Sequence, residues 1–206
     1  MTRAAVILCG GASRRMGADK AWLTIEGVPL LSHVIAAIRS ACDRMVVVAA
    51  PGQPLPPHAG AERVDDPPER AGLGPLAAVA TGLAAARAEV VFLGACDTPA
   101  LGAEHLELLF ARLAREPPEV EAVVPADDDD PACMHPLLGA VRTAPARSAA
   151  IERLEAGERS VRALYRALTL RTIATATLPD PQVALPCNTI EQWQRAIEHL
   201  RARPPQ

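Results

Sequence analysis

Aromatic side chains are nearly absent: two Trp, one Tyr and two Phe stand among 206 residues. Proteins that hold single-stranded nucleic acid stack its bases on aromatic faces, and duplex binders need a stripe of cations. The chain has neither, because 21 Lys and Arg are set against 24 Asp and Glu, a formal charge of −3, with no dominant basic block. A nucleic-acid partner is therefore not expected. Paired cysteines are missing too. The five (Cys9, Cys42, Cys96, Cys133 and Cys187) are odd in number and scattered, with no CxxC pair, which argues against a zinc ribbon or a thioredoxin-like site. Cys9 and Cys96, at the ends of apolar runs, read as small buried hydrophobes, and free thiols point to a reducing compartment. Long apolar runs are lacking as well. Ala4–Leu8, behind one basic residue, is too short for a signal peptide, and nothing approaches a membrane span. No membrane partner and a cytoplasmic location are expected.

Half of the residues are apolar, so the core must be built from Ala, Val and Leu, a composition suited to helices packed on a sheet. The length fits one domain over residues 1–206, with core enough to need neither disulfide nor structural metal. Strands are expected at Ala4–Leu8, Met45–Ala49, Glu62–Val64, Glu89–Ala95, Glu121–Pro125, Met134–Val141 and Leu170–Ala174. Helices are expected at Pro29–Cys42, Gly74–Arg87, Ala103–Arg115, Arg147–Ala156, Ser160–Leu168 and Ile190–Arg201, the last after an Asn188-Thr189 cap. Apolar strands alternating with helices predict an α/β fold, its mostly parallel sheet covered on both faces. The acidic run Asp127–Asp130 reads as a solvated loop, since it lacks the spacing of a calcium loop.

The chemistry concentrates in LCGGASRRMGADK, which follows the first strand. Gly10, Gly11 and Gly17 let the backbone turn sharply and present N–H groups to phosphate oxygens. Arg14, Arg15 and Lys20 add mobile positive charge where a polyphosphate would lie. The segment is neither a Walker loop nor GxGxxG. Asp97, at the carboxyl end of the fourth strand, stands where open α/β sheets bind ligands; its carboxylate suits Mg²⁺, although Asp-Thr-Pro also makes a helix entry. Asp66 falls on the same rim, where Pro67-Pro68 makes a turn role equally credible. Gly74-Pro75-Leu76 starts a helix whose first amides could face a nucleotide. The histidines form no nucleophilic triad, and only His135 is placed to meet a substrate.

These residues resemble those of the molybdenum cofactor guanylyltransferases, within the molybdopterin nucleotidyltransferase family. The likeness rests on LCGGASRRMGADK, Gly74-Pro75-Leu76-Ala77, Cys96-Asp97-Thr98-Pro99, Gly157-Glu158-Arg159 and Asn188-Thr189, spread over nearly the whole chain. It implies a Rossmann-like nucleotidyltransferase fold, α/β with a mostly parallel mixed sheet, helices on both faces and one antiparallel strand. Residues 1–100 would mainly bind nucleotide and 101–206 mainly the acceptor. The activity implied is transfer of GMP from GTP to the phosphate of molybdopterin, with Mg²⁺ and release of pyrophosphate. Leu8, Cys9, Gly10 and Gly11 would contact the nucleotide, Asp66 its nucleoside, Arg15 and Lys20 the phosphates, and Asp97 the Mg²⁺. His135, Arg159 and Asn188 would meet molybdopterin, and other cofactor-biosynthesis proteins could deliver or receive it. The chain departs from the family pattern at Ala49 and Pro186, where asparagine is usual. A CTP-dependent cytidylyltransferase and a non-catalytic nucleotide-binding module remain alternatives; Gly10, in place of the alanine usual in cytidylyltransferases, leaves room for a purine.

Overall fold

The computed structural model describes residues 1–9, 19–70, 72–127, 130–185 and 187–202. Gly10, Gly11, Arg14, Arg15 and Gly17 of the glycine-rich motif, and Pro186, lie outside the described residues. The elements run β1 (Arg3–Leu8), a short hairpin of β2 (Thr24–Ile25) and β3 (Val28–Pro29), α1 (Leu30–Ile38), β4 (Arg44–Ala49), β5 (Glu62–Asp65), α2 (Pro75–Ala86), β6 (Val90–Ala95), α3 (Ala103–Arg115), β7 (Ala122–Asp127), β8 (Asp130–Met134), β9 (Leu138–Arg142), α4 (Thr143–Glu155), α5 (Val161–Arg166), β10 (Leu170–Ala174) and α6 (Ile190–Ala202).

The large sheet has the order β10-β7-β9-β6-β1-β4-β5, with β8 paired to β7. β1 lies parallel to β4 and β6, β4 to β5, and β7 to β10, while β9 runs antiparallel between β6 and β7. The sheet is thus mostly parallel and mixed, as the resemblance implied; β8, antiparallel to β7, is a second reversed strand. From β1 the chain moves outward through β4 to β5, then α2 returns it to β6 on the other side of β1. Strand order reverses between β1 and β6, so a crevice is expected outside their carboxyl ends, at Leu8-Cys9 and Ala95-Cys96.

Period-two alternation divides the core between the two faces. On β1, Ala5 and Ile7 point into a cluster with Leu30, Val34, Leu106 and Phe110 of α1 and α3. Ala4, Val6 and Leu8 point the other way, into a cluster with Leu76, Val79 and Leu83 of α2 and with Ala146 and Leu164 of α4 and α5. α2 is buried around most of its circumference because α4 and α5 cover the side turned from the sheet. Its small residues allow that close approach. Trp193, Ile197 and Leu200 of α6 pack partly on the α1–α3 side.

Two expectations need correction, and one element was not expected. Met134–Val141 is not one strand: β8 ends at Met134, β9 begins at Leu138, and a turn closed by Leu138 N–H to the His135 carbonyl separates them. Pro136 sits in that turn, lacking a donor for a ladder. The acidic run is not simply a solvated loop, since Asp127 closes β7 and Asp130 opens β8, with the two in register; residues 128–129 lie outside the described residues. The hairpin of β2 and β3, turning at Glu26 and Gly27 with positive φ, was not foreseen, its strands being only two residues long. Among the described residues no helix is long and apolar enough to cross a membrane.

Gly82 tests the contact between α2 and the centre of the sheet. A Cβ there would collide with Val6 and lie 3.1 Å from the Val48 side chain. Overpacking costs about 1–3 kcal/mol, and alanine recovers about 1 kcal/mol of helix propensity. Because β1 is flanked by strands on both sides, the clash should win. Gly82→Ala is expected to lower the unfolding midpoint by about 2–6 °C in a thermal melt. An unchanged or raised midpoint would contradict this packing.

Candidate active site

β1 and β6 end side by side: the Cys96 amide donates to the Leu8 carbonyl at 3.0 Å, and the Cys9 amide to the Val48 carbonyl at 2.8 Å. Cys9 and Cys96 are each 6 % exposed and face the same core. A hydrogen bond with Cys9, and then burial, push the Cys96 thiol well above the ordinary range. Both are inert small residues, as their place in the sequence suggested.

Beyond the glycine-rich segment, Asp19 caps a single 3₁₀ turn, Lys20–Trp22, by accepting from the Ala21 amide. That turn aims Lys20 back across the ends of β1 and β6. Its Nζ donates to Asp97 Oδ2 and to Asn188 Oδ1, each at 2.7 Å. Three residues from the first tenth, the middle and the last tenth of the chain therefore meet at one point. The Lys20 side chain is 13 % exposed and that of Asp97 32 %, so each ion is partly withdrawn from water and each compensates the other.

The structure removes the competing reading of Asp97 as a helix cap. α3 begins only at Ala103, and its N-cap residue is Gly102, whose carbonyl accepts from the His105 amide. Asp97 instead sits in a turn that His33 of α1 steadies by a 3.1 Å contact with the Pro99 carbonyl. Asn188 is presented by the start of α6. There Thr189 Oγ1 accepts from the Gln192 amide, while Gln192 Oε1 accepts from the Asn188 and Thr189 amides, a capping box. Thr189 does the capping, and the Asn188 side chain is left for Lys20.

A cleft of about 300 Å³ opens from this cluster, lined by Asp97, Asn188, His135, Cys187 and a wall of apolar residues that includes Leu138 and Val183. His135 and Asn188, both expected to meet the acceptor, do share one wall system with Asp97. His135 Nε2 is 2.8 Å from Asp127 Oδ1. Burial, reinforced by the charge of Asp97 and opposed by that of Lys20, pushes the Cys187 thiol up to about 11.

Arg159 does not join that wall. The chain reverses after α4 at Gly157, with φ of 81°, which carries the Arg159 carbonyl to the start of α2, where it accepts from the Leu76 amide at 3.1 Å. A Cβ on Gly74 would stand 3.0 Å from that carbonyl. The first amides of α2 are therefore committed: Pro75 has none, Leu76 gives its own to Arg159 and Ala77 to Gly74. The expectation that they face a ligand is not met.

Asp66 lies past the end of β5, its amide donating to the Ala49 carbonyl, some three strand spacings, or roughly 14 Å, from the β6 end. Its Oδ1 is buried, as is Oγ1 of Thr81 on α2, and the two side chains face each other. Burial raises the Asp66 carboxyl above the ordinary range, against a side-chain hydrogen bond from Thr81 and the charge of Arg70. A half-buried carboxylate at this rim suits a further hydroxyl or N–H donor from a ligand. Gln53, whose amide touches both ends of the glycine-rich segment, was not singled out from the sequence; Pro51-Gly52 signals a turn there, but a lone Gln in a loop carries no spacing signature.

The sequence matches, over residues 5–173, a family described as "MobA-like NTP transferase domain". A protein of Mycobacterium avium named "Probable molybdenum cofactor guanylyltransferase" is 39 % identical over 210 residues, covering 98 % of each chain. One of the same name from Trichormus variabilis is 35 % identical over 187 residues, 91 % of this chain and 86 % of the relative. Among solved structures, the molybdopterin-guanine dinucleotide biosynthesis protein A of Archaeoglobus fulgidus superposes with a TM-score of 0.76 at 21 % identity, covering 98 % of this chain and all of that one. At that identity the likeness shows the fold.

The raised Asp66 carboxyl has a thermodynamic consequence. Because its folded pKa exceeds its unfolded value, the folded state is favoured by the proton at low pH, and that contribution is lost as pH rises through the folded pKa. The stability of Asp66→Asn relative to the native chain should thus grow from acid toward neutral pH, then level off once Asp66 is ionised. Urea unfolding across that range checks it; a flat difference would mean that burial does not penalise the carboxylate.

Proposed function

The chain belongs to the MobA-like NTP transferase family, and on that premise we propose that it transfers GMP from GTP to the phosphate of molybdopterin. The observation that carries this reading is the meeting of Lys20, Asp97 and Asn188 at the point where strand order reverses. The names of the relatives support the acceptor and the guanine nucleotide.

The reaction is an in-line displacement. An oxygen of the acceptor phosphate attacks the α-phosphorus of GTP, the bond to the oxygen bridging the α- and β-phosphorus atoms breaks, and pyrophosphate leaves with that oxygen. Such transfer depends on positioning and charge neutralisation more than on covalent catalysis. The Lys20 ammonium exchanges its contact with Asp97 for phosphate oxygens and stabilises charge on the departing pyrophosphate, together with Arg15 and the amides of Gly10 and Gly11. Asp66, whose carboxyl is raised by burial, receives a hydrogen bond from the nucleoside, near Leu8 and Cys9. The cleft walled by His135 and Asn188 admits the acceptor, while Arg159 stands at the foot of α2, where its carbonyl accepts from the Leu76 amide.

Asp97 fits a magnesium ion by its donor chemistry. Among the described residues no three His, Cys, Asp or Glu cluster as a metal cage. A single carboxylate beside a polyphosphate is the donor set Mg²⁺ accepts, since it keeps waters and takes the rest of its oxygens from substrate. When bound there, the ion supplies neutralisation of the phosphate charge.

Losing one preorganised electrostatic contact costs on the order of 3–4 kcal/mol, or roughly a hundred- to a thousandfold in rate. Asp97→Ala and Lys20→Ala should each lose that much in magnesium-dependent pyrophosphate release from GTP with molybdopterin, with the unfolding transition retained. GTP should be turned over in preference to CTP. Near-native rates in either variant would remove the mechanism, and preference for CTP would make the protein a cytidylyltransferase. Nucleotide binding without pyrophosphate release would mark a non-catalytic module.

A further inference from the structure

The glycine-rich segment begins at Cys9, the last described residue of its first stem, and ends at Asp19, which caps the turn bearing Lys20. One side chain from another element touches both. Gln53 Nε2 donates to the Cys9 carbonyl at 3.0 Å and to Asp19 Oδ2 at 2.7 Å. Its Oε1 accepts from the Ala50 amide at 3.1 Å. The orientation of the amide follows from these partners, because turning it over would set its oxygen against two acceptors and its nitrogen against a donor.

The backbone holding Gln53 is itself closed. The Gln53 amide donates to the Ala50 carbonyl at 3.0 Å, and Gly52 has φ of 72°. With Pro51 in the second position, these are the marks of a type II turn. Ala50 and Gln53 thus bond twice, once through backbone and once through the side-chain oxygen, which fixes the direction of Nε2 before any ligand arrives. Trp22, in the turn after Asp19, adds a 3.1 Å hydrogen bond from Nε1 to the Pro54 carbonyl, so the same loop also meets the Lys20 turn from its far side.

We propose that Gln53 is a positioning residue for triphosphate binding: it ties Cys9, at the end of β1, and Asp19, the cap of the Lys20 turn, to the β4–β5 loop and so sets the spacing between them. Ala49, at the end of β4, carries no polar side chain, and the amide that reaches the loop comes instead from four residues further along. The inference rests on the reading of this edge as a triphosphate site. It goes beyond that reading because Nε2 of Gln53 is committed to Cys9 and Asp19 and its Oε1 accepts from Ala50, so that Gln53 acts through Cys9 and Asp19.

The geometry separates affinity from chemistry. Lys20 is held by Asp97 and Asn188, which Gln53 does not touch, and its turn is capped through Asp19 Oδ1 rather than the Oδ2 that Gln53 takes, so the contacts that hold the Lys20 ammonium remain when Gln53 is lost. A half-exposed loop residue contributes little to global stability. Gln53→Leu keeps the approximate volume and removes every donor. Its Kd for magnesium GTP in calorimetry, and its KM for GTP, should rise about tenfold, the usual scale for a hydrogen bond to a charged group. The kcat at saturation should stay within about threefold and the unfolding midpoint within about 4 °C. Gln53→Glu, which faces the Asp19 carboxylate with a second one, should bind GTP more weakly still. Adding Asp19→Asn to it supplies a donor from residue 19 while keeping an oxygen for the Ala21 amide, and should recover about threefold or more of the lost affinity. A fall in kcat with KM unchanged, native affinity in Gln53→Leu, or no recovery in the double variant overturns the proposal. Should the native chain bind neither GTP nor CTP, the reading of the site itself fails, a result distinct from native-like binding in Gln53→Leu.

Discussion

A 2.7 Å contact between Lys20 and Asp97 joins parts of the chain that share little else. Lys20 follows β1, Asp97 follows β6, and the two strands are neighbours only because α2 carries the chain back across the sheet. Everything that fixes the sheet order therefore fixes this pair. The alternation of β1 between two helix layers, the close seat of α2 on Val6 and Val48, and the α6 cap that hands Asn188 to the same ammonium all converge there.

An ion pair half withdrawn from water is a poor source of stability, since desolvation of both partners offsets most of their attraction. It is well suited to waiting for a more highly charged ligand. A triphosphate offers Lys20 several oxygens in place of two, and leaves the Asp97 carboxylate in need of a cation. The same logic holds at Asp66, where burial raises the cost of the charged form and a further donor would lower it. The two acids stand at opposite ends of one rim, separated by β4 and β1, and Gln53 ties Cys9, at the end of β1, to Asp19.

Much of this was legible in the sequence. The core strands announced themselves as apolar runs, and Ala103–Arg115 was bounded correctly by its helical spacing. Lys20 and Asp97 could be placed on one edge because strand ends in α/β sheets share an edge. What the sequence could not carry were relations set by tertiary contact. Nothing local says that Asn188 binds Lys20 rather than capping α6, because an Asn before a Thr serves either purpose. Arg159 looked like part of the acceptor wall, yet the positive φ of Gly157 turns its carbonyl to α2. The strand expected through His135 failed at Pro136, a residue whose missing donor was visible and was overridden by the apolar run around it. Arg15, Gly10 and Gly11 lie outside the described residues, so their roles stand on sequence and chemistry alone.

The central claim is that Lys20 and Asp97 exchange each other for a shared magnesium triphosphate. A crystal structure of the full chain with Mg²⁺ and a non-hydrolysable GTP analogue tests it most directly. The account predicts phosphate oxygens within hydrogen-bond distance of Lys20 Nζ, an ion on the Asp97 carboxylate, and the contact between the two side chains opened. A nucleotide seated elsewhere, with Lys20 still on Asp97 Oδ2, would contradict it.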